Sequence, residues 1–121
     1  MGRYPGWRKT TAKGGQPRVR NARSTIVDGI RFASKREAKR WCELRACEHA
    51  REIQNLVRQF RFPLIVRGIV IGHYIADFVY DERVGTDWVQ RVEDVKGWRT
   101  EMYKWKKKHF EAQYLMRITE T

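Results

Sequence analysis

The sequence predicts one α/β (α+β) domain, in which a central mixed sheet is flanked by helices and preceded by a basic arm. Three observations support this prediction. Apolar periodicity changes along the chain in the order hairpin, helix, three strands, helix, strand. The 121 residues are 41% hydrophobic, which is enough for one small core. No apolar run approaches the roughly 18 residues of a membrane span, so we expect a cytoplasmic protein without membrane contact.

Residues 1–23 are predicted to be a flexible basic arm, and residues 24–121 the folded domain. The arm has several Gly and Pro residues and seven of the cations behind the net charge of +12. Its cations alternate with aromatic residues, which favours contact with nucleic acid over a solubilising tail, the alternative reading. The predicted contact residues there are Arg3, Trp7, Arg8, Lys9, Lys13, Arg18 and Arg20.

The domain is predicted to begin with a hairpin over residues 25–32, because Asp28-Gly29 separates two short apolar runs. Ser34 then starts a helix that runs to about His49. Glu37 stands three residues after Ser34, as in a capping box, so one role for it is to cap the helix. The other is to lean from the first turn and help to hold a metal ion, and the two roles are compatible.

Three strands are predicted next, over residues 53–66, 69–80 and 86–96, with a turn over residues 81–85. The first contains Pro63, which indicates an edge strand or a bulge. The second is apolar on both faces, which is typical of a central strand. Gln59, on the first strand, has two readings, an ordinary surface residue or a group that orients water or phosphate.

A second helix is predicted from its cap Thr100, followed by a short strand over residues 115–119. Tyr103, Phe110 and Tyr114 fall within one arc of this helix and are expected to face the core. The remaining surface carries Lys104, Lys106 and Lys107. These lysines predict a phosphate-binding ridge, with an ordinary solvated face as the alternative.

Charged residues occur near the ends of two predicted buried strands. Asp77 lies between Ile75 and Val79, where a carboxylate is costly to bury unless a cation meets it. Alternation places Asp94 and Lys96 on one face of the third strand and Glu93 on the other. A simple Asp94–Lys96 ion pair is the plain reading. Two carboxylates and a lysine are also what a divalent-metal phosphodiesterase needs.

These residues give the chain a resemblance to the PD-(D/E)XK nuclease superfamily. Within it, the chain is similar to a small phage-encoded, nuclease-like (resolvase-like) family of unknown function. The matching motifs are Ser34-Lys35-Arg36-Glu37-Ala38, Ile75-Ala76-Asp77-Phe78 and Val92-Glu93-Asp94-Val95-Lys96-Gly97. Ala76 replaces the Pro that the superfamily name implies. The resemblance covers residues 28–119 and implies a restriction-endonuclease-like core.

The resemblance also implies an activity, a Mg²⁺- or Mn²⁺-dependent endodeoxyribonuclease. Asp77 and Asp94 are expected as metal ligands, with the Val95 carbonyl and Glu37 completing the site. Lys96 would position or deprotonate the attacking water, or stabilise developing charge; the sequence leaves these roles open. Glu37, Asp77, Asp94 and Lys96 are thus the predicted catalytic set. No small-molecule cofactor is expected.

The preferred substrate is branched DNA such as a Holliday junction, in recombination or replication, by analogy with small resolvases of the superfamily. Symmetric cutting of a junction implies a homodimer. The alternative is a non-catalytic DNA-binding or packaging accessory protein on a nuclease scaffold. An RNA-binding protein of ribosomal character is a third possibility; the basic arm suits it, and the paired carboxylates do not.

Overall fold

The structure is a computed structural model that describes residues 24–121. Its strands are β1 (Thr25–Val27), β2 (Ile30–Phe32), β3 (Ile53–Val66), β4 (Ile69–Val84), β5 (Asp87–Asp94) and β6 (Ile118–Glu120), and its helices are α1 (Lys35–His49) and α2 (Glu101–Tyr114). The predicted order of elements is therefore confirmed. Within residues 24–121, neither helix is long and apolar enough to cross a membrane. The described residues fall into two compact units, the first ending at Ala38 and the second comprising residues 39–121.

The described part of the first unit contains the predicted hairpin. β1 and β2 pair antiparallel in a two-stranded sheet. Asp28 and Gly29, at its turn, have φ angles of 54° and 77°. Two successive left-handed residues are what a tight two-residue hairpin turn requires, so Asp-Gly fixes this turn. The start of α1 is also as predicted, since Ser34 Oγ accepts a hydrogen bond from the Glu37 N–H at 3.2 Å.

The second unit is built on a four-stranded sheet with the order β3-β4-β5-β6. β3, β4 and β5 pair antiparallel, and β5 pairs with β6 in parallel, so the sheet is mixed. β4 lies between two neighbours, which confirms it as a central strand. β3, with Pro63, is at the edge, where a missing backbone donor does little harm.

Three predicted boundaries are wrong. β4 continues to Val84, because Asp81 and Glu82 stay paired with β5 and the turn falls at Gly85, whose φ is 66°. β5 ends at Asp94 rather than residue 96. The last strand is Ile118–Glu120, because Leu115 ends α2 in a left-handed conformation. Exposed strand residues and helix ends carry weak periodicity, so sequence patterns locate them poorly.

The core of the second unit lies between α2 and one face of the sheet. Tyr103 and Phe110 of α2 pack there, as predicted, and Tyr114 packs against them. The strand residues in this cluster are Phe62, Leu64, Tyr74, Ala76, Val79, Val92 and Ile118. The other face contacts α1, where the Trp41 ring stacks on Phe78 with 6.2 Å between ring centroids. Each face of the sheet therefore has a helix against it.

Candidate active site

Asp77 and Asp94, on adjacent strands, come together on the α2 side of the sheet. Asp77 Oδ2 accepts a hydrogen bond of 2.9 Å from the N–H of Val95, the residue after Asp94. The two carboxyl groups are close enough to interact, since Asp77 raises the pKa of Asp94. The hydroxyl group of Tyr74, a core residue, donates a hydrogen bond to Asp94 Oδ2. The two predicted acidic residues thus lie next to each other, where the middle of β4 meets the end of β5.

The alternation of faces along β4 is interrupted near Asp77, since Tyr74 and Val79 belong to one core cluster although they are five residues apart. Strict alternation would place Tyr74 and Asp77 on opposite faces of β4, yet both meet Asp94. The ladder pairs Arg58 with Phe78 and Phe60 with Ala76, and Gln59 lies between them with a left-handed φ of 53°. The Gln59 side-chain amide donates to Asp77 Oδ1 at 3.2 Å. The register of β3 against β4 is the same on both sides of Gln59, so Gln59 acts through its side chain, which helps to fix the Asp77 carboxylate.

Lys96 joins the same cluster from the segment after β5. Its ammonium lies 3.8 Å from Asp94 Oδ1 and 4.1 Å from the centroid of the Tyr103 ring. The first distance is too long for a hydrogen bond, and the second is a cation–π contact. The Lys96 N–H donates to the carbonyl of Thr121 at 3.3 Å. Ring and backbone together hold Lys96 beside Asp94, so the predicted set Asp77, Asp94 and Lys96 converges.

Asp94 is an electrostatically unusual acid. It is only 1% exposed to solvent. Burial is the main cause that raises its pKa, to about 7, and the neighbouring Asp77 raises it further. The hydrogen bond from Tyr74 and the charge of Lys96 oppose this rise. Near neutral pH, Asp94 is therefore poised between its charged and neutral forms, a state typical of functional sites.

Glu93 points to the opposite face of β5, as alternation predicts. Its two carboxylate oxygens accept hydrogen bonds from the Arg40 guanidinium of α1, Nε to Oε1 at 2.8 Å and NH2 to Oε2 at 2.6 Å. The Tyr80 hydroxyl donates to the same carboxylate. Glu93 is thus fully partnered away from Asp77 and Asp94, which supports ranking it below Asp94 as a site residue.

The carboxylates of Asp77 and Asp94 are the groups that a divalent cation would meet at this site. Among residues 24–121, no group of three or more His, Cys, Asp or Glu side chains is arranged to hold a metal ion. Mg²⁺, however, is commonly held by one or two carboxylates, with water and substrate phosphate completing its shell. Asp77 and Asp94 form such a pair, and their mutual repulsion is what a cation relieves. The pair therefore fits a Mg²⁺- or Mn²⁺-type ion.

Two other groups were predicted as metal ligands, the Glu37 carboxylate and the Val95 carbonyl. Glu37 is buried, but it belongs to the first unit, so its role as a metal ligand stays a prediction. Val95 contributes its N–H to Asp77 Oδ2, a contact that sequence reasoning missed. Its carbonyl as a metal ligand also stays a prediction.

A comparison with protein families places the chain. The family described as "Protein of unknown function (DUF1064)" matches residues 18–120. The chain belongs to the DUF1064 family. A search of curated proteins and a search of solved structures find no match. The resemblance to PD-(D/E)XK nucleases stays a prediction.

The DUF1064 match includes the whole cluster around Asp94 but begins after most of the basic arm. The arm also lies outside the residues that the structure describes. Its predicted nucleic-acid contacts therefore stay predictions: Arg3, Trp7, Arg8, Lys9, Lys13, Arg18 and Arg20.

The predicted lysine ridge of α2 is only partly available to a phosphate. Lys104 pairs with Glu101 at 3.1 Å, and Lys107 pairs with Glu120 at 3.0 Å. Lys106 is half-buried. Acids on and beside the helix thus balance two of the three charges, a feature that the sequence pattern did not reveal. DNA binding by the ridge stays a prediction.

Sequence reasoning also missed two tyrosines of the cluster around Asp94. Tyr103 was predicted only as a core residue, and Tyr74 was not singled out, yet Tyr74 donates a hydrogen bond to Asp94 and Tyr103 lies under Lys96. Burial raises the pKa of both phenols, so both remain protonated donors at neutral pH. A buried phenol needs a hydrogen-bond partner, and that general rule was the available signal.

Proposed function

We propose that this DUF1064 protein is a metal-dependent DNA endonuclease with a restriction-endonuclease-like core. The observation that carries the proposal is the convergence of Asp77, from the middle of β4, with Asp94 and Lys96 at and just after the end of β5. Two acids that repel each other are unfavourable in a purely structural role, and burial of Asp94 raises the free energy of its charge further. A lysine beside them is the third group that phosphodiester cleavage requires.

In this proposal, Asp77 and Asp94 hold Mg²⁺ or Mn²⁺, which supplies the positive charge that polarises the phosphodiester and activates water. The Val95 N–H and the Gln59 amide fix the orientation of the Asp77 carboxylate. Tyr74 fixes one oxygen of Asp94 in the same way. Lys96, held over Tyr103, positions or deprotonates the attacking water or stabilises charge on the phosphate.

The charge of the chain supports DNA as the substrate. A net charge of +12 on 121 residues favours a polyphosphate partner. Within this class we favour branched DNA, such as a four-way junction, cut in phage recombination or replication by a homodimer. This narrower assignment rests on analogy with small resolvases.

The test is a cleavage panel with purified protein on four-way junction, flap, duplex and single-stranded DNA, with Mg²⁺, Mn²⁺ or chelator. We expect cleavage that requires the cation. Asp77→Asn and Asp94→Asn should reduce it to background, and Lys96→Met should lower the rate roughly 10²- to 10⁴-fold.

Matched controls separate site effects from general charge effects. Asp87→Asn removes an exposed acid at the other end of β5, and Lys39→Met removes an exposed lysine on α1. Both should cleave at the wild-type rate. Cleavage that survives Asp94→Asn, or that continues in chelator, would rule out the proposed site.

A non-catalytic DNA-binding accessory protein is the second candidate. The observation that favours it is the near-complete burial of Asp94 beside Lys96, as expected for a structural ion pair. It predicts tight, salt-sensitive DNA binding that is unchanged in Asp94→Asn, with no cleavage of any substrate in the panel.

A further inference from the structure

Two tryptophans near the cluster expose large indole surfaces. Trp98 is 81% exposed, and Trp105 of α2 is 48% exposed. By contrast, Trp41 is buried against the sheet. Indole rings are mostly buried in folded proteins, and exposed aromatic surface commonly marks a place where a partner binds.

Trp105 borders a cleft of about 550 Å³ at the β6 edge of the sheet. One side of the cleft is α2, which contributes Tyr103, Lys104, Trp105 and Lys108. The other side is formed by Arg99, next to Trp98 in the chain, and Glu120 of β6. Tyr103 also contacts the Lys96 ammonium, so the cleft and the Asp77–Asp94 cluster share one side chain.

The charges of the cleft are arranged unevenly. Deep in it, Glu120 accepts hydrogen bonds from Arg99, Tyr103 and Lys107, which neutralises that region. At the rim, Lys104 pairs with Glu101, but both side chains are largely exposed, and such pairs are readily exchanged. Lys108 is exposed and forms no salt bridge within the described part of the chain. A third acid in the lining, Glu111, accepts a hydrogen bond from the Ile118 N–H at 2.9 Å. The cleft thus combines an aromatic wall with four cations and three acids, and each of the acids has a hydrogen-bond partner.

We infer that this cleft binds an unpaired nucleobase of single-stranded DNA, stacked on Trp105, with flanking phosphates on Lys104 and Lys108. Aromatic faces and nearby cations are the two groups that single-stranded nucleic acid requires. Inside a duplex, neighbouring base pairs stack on both faces of each base, so the cleft distinguishes single strands from duplex. The inference rests on the proposed function for DNA as the ligand, and it adds that the substrate has unpaired bases.

The test measures binding without cleavage, by fluorescence anisotropy in chelator. The ligands are a labelled oligothymidine of about 12 nucleotides and a blunt duplex of equal length. Trp105→Ala should weaken single-strand binding by about 5- to 100-fold and leave the salt dependence unchanged. Lys108→Gln should instead reduce the slope of log affinity against log salt by about 0.7. Duplex affinity should stay the same in Trp105→Ala.

Two further variants complete the design. Trp88→Ala removes a 42% exposed tryptophan of β5 that does not line the cleft, and it should bind like wild type. Trp105→Tyr keeps an aromatic face and should retain affinity within about threefold. Unchanged single-strand binding in Trp105→Ala, or equal losses in Trp88→Ala or on duplex, would overturn the inference. Because chelator prevents metal-dependent cleavage, failure of the nuclease proposal would leave this binding result intact.

Discussion

Glu93 and Asp94 are neighbours on β5, and each is 1% exposed, yet their surroundings are opposite. Glu93 accepts two hydrogen bonds from the Arg40 guanidinium and one from Tyr80. Asp94 receives one from Tyr74, has its nearest ammonium at 3.8 Å and faces a second acid, Asp77. Glu93 is thus neutralised by a hydrogen-bonded guanidinium, whereas Asp94 has no hydrogen bond from a cation within the described part of the chain.

This difference separates a structural acid from a candidate functional one. A buried carboxylate with a bidentate guanidinium is neutralised and ties α1 to the sheet. A buried carboxylate beside another carboxylate destabilises the fold unless a further cation binds there. Sites that break the rules of stable folding are where function is most often found.

The largest effect is expected on the Glu93 side. Arg40→Ala leaves Glu93 buried without a cation, and it should lower the free energy of unfolding by about 3–5 kcal/mol. Urea denaturation measures it. Replacing both partners, as Arg40→Met with Glu93→Met, should recover most of the loss. If the free energy of unfolding of Arg40→Ala lies within about 1 kcal/mol of the wild-type value, Glu93 does not depend on its cation and the contrast with Asp94 fails.

The Asp94 side should respond in the opposite direction. Asp94→Asn removes a buried charge and its repulsion with Asp77, so without divalent cations the free energy of unfolding should be unchanged or higher. The same urea titration in chelator checks this. A loss of more than about 1 kcal/mol would mean that Asp94 stabilises the fold as Glu93 does.

Matched Tyr→Phe variants sharpen the comparison. Tyr80→Phe removes a hydrogen bond to the charged Glu93 and should cost about 1.5–3 kcal/mol. Tyr74→Phe removes one from Asp94, whose raised pKa leaves it partly neutral, and should cost about 1 kcal/mol. Thermal denaturation of both variants measures which of them loses more stability. Only Tyr74→Phe should alter Mn²⁺ affinity; equal changes in both would contradict separate roles for the two faces.

The smallest effect concerns Glu120 and pH. Arg99, chiefly, lowers the pKa of Glu120 from 4.5 to about 2, with help from Tyr103 and Lys107. A lowered pKa adds stability that is present above about pH 4.5 and is lost as pH falls toward 2. Glu120→Gln should therefore be less stable than wild type at pH 7, by under about 1 kcal/mol, and the gap should close in acid. A gap that is constant from pH 7 to acid would exclude this linkage.

Local sequence patterns predicted most of the fold. Asp28-Gly29 located the hairpin, Ser34 and Thr100 located the helix starts, and continuous apolar content marked β4 as central. These signals are short-range and depend on backbone preferences or on burial, so one sequence suffices to detect them. Alternation likewise separated Glu93 from Asp94.

The arrangement of the candidate site depended on contacts that local patterns do not encode. The change of face along β4 that brings Asp77 to the side of Asp94 is not visible in the apolar pattern, and the left-handed backbone of Gln59 beside it is a conformation that Gln rarely adopts. The pairing of Lys107 with Glu120 also became visible only in the folded chain. Long-range partners of this kind decide charge and geometry, and periodicity carries no information about them.

Mn²⁺ binding measured by isothermal titration calorimetry tests the central claim most directly. The wild-type protein should bind Mn²⁺, and both Asp77→Asn and Asp94→Asn should lose it while remaining folded. Glu43→Gln, which removes the exposed acid on the far side of Arg40, should bind like wild type. Absence of binding to the wild-type protein, or binding that persists in Asp94→Asn, would contradict the assignment of a metal-dependent site to this pair of acids.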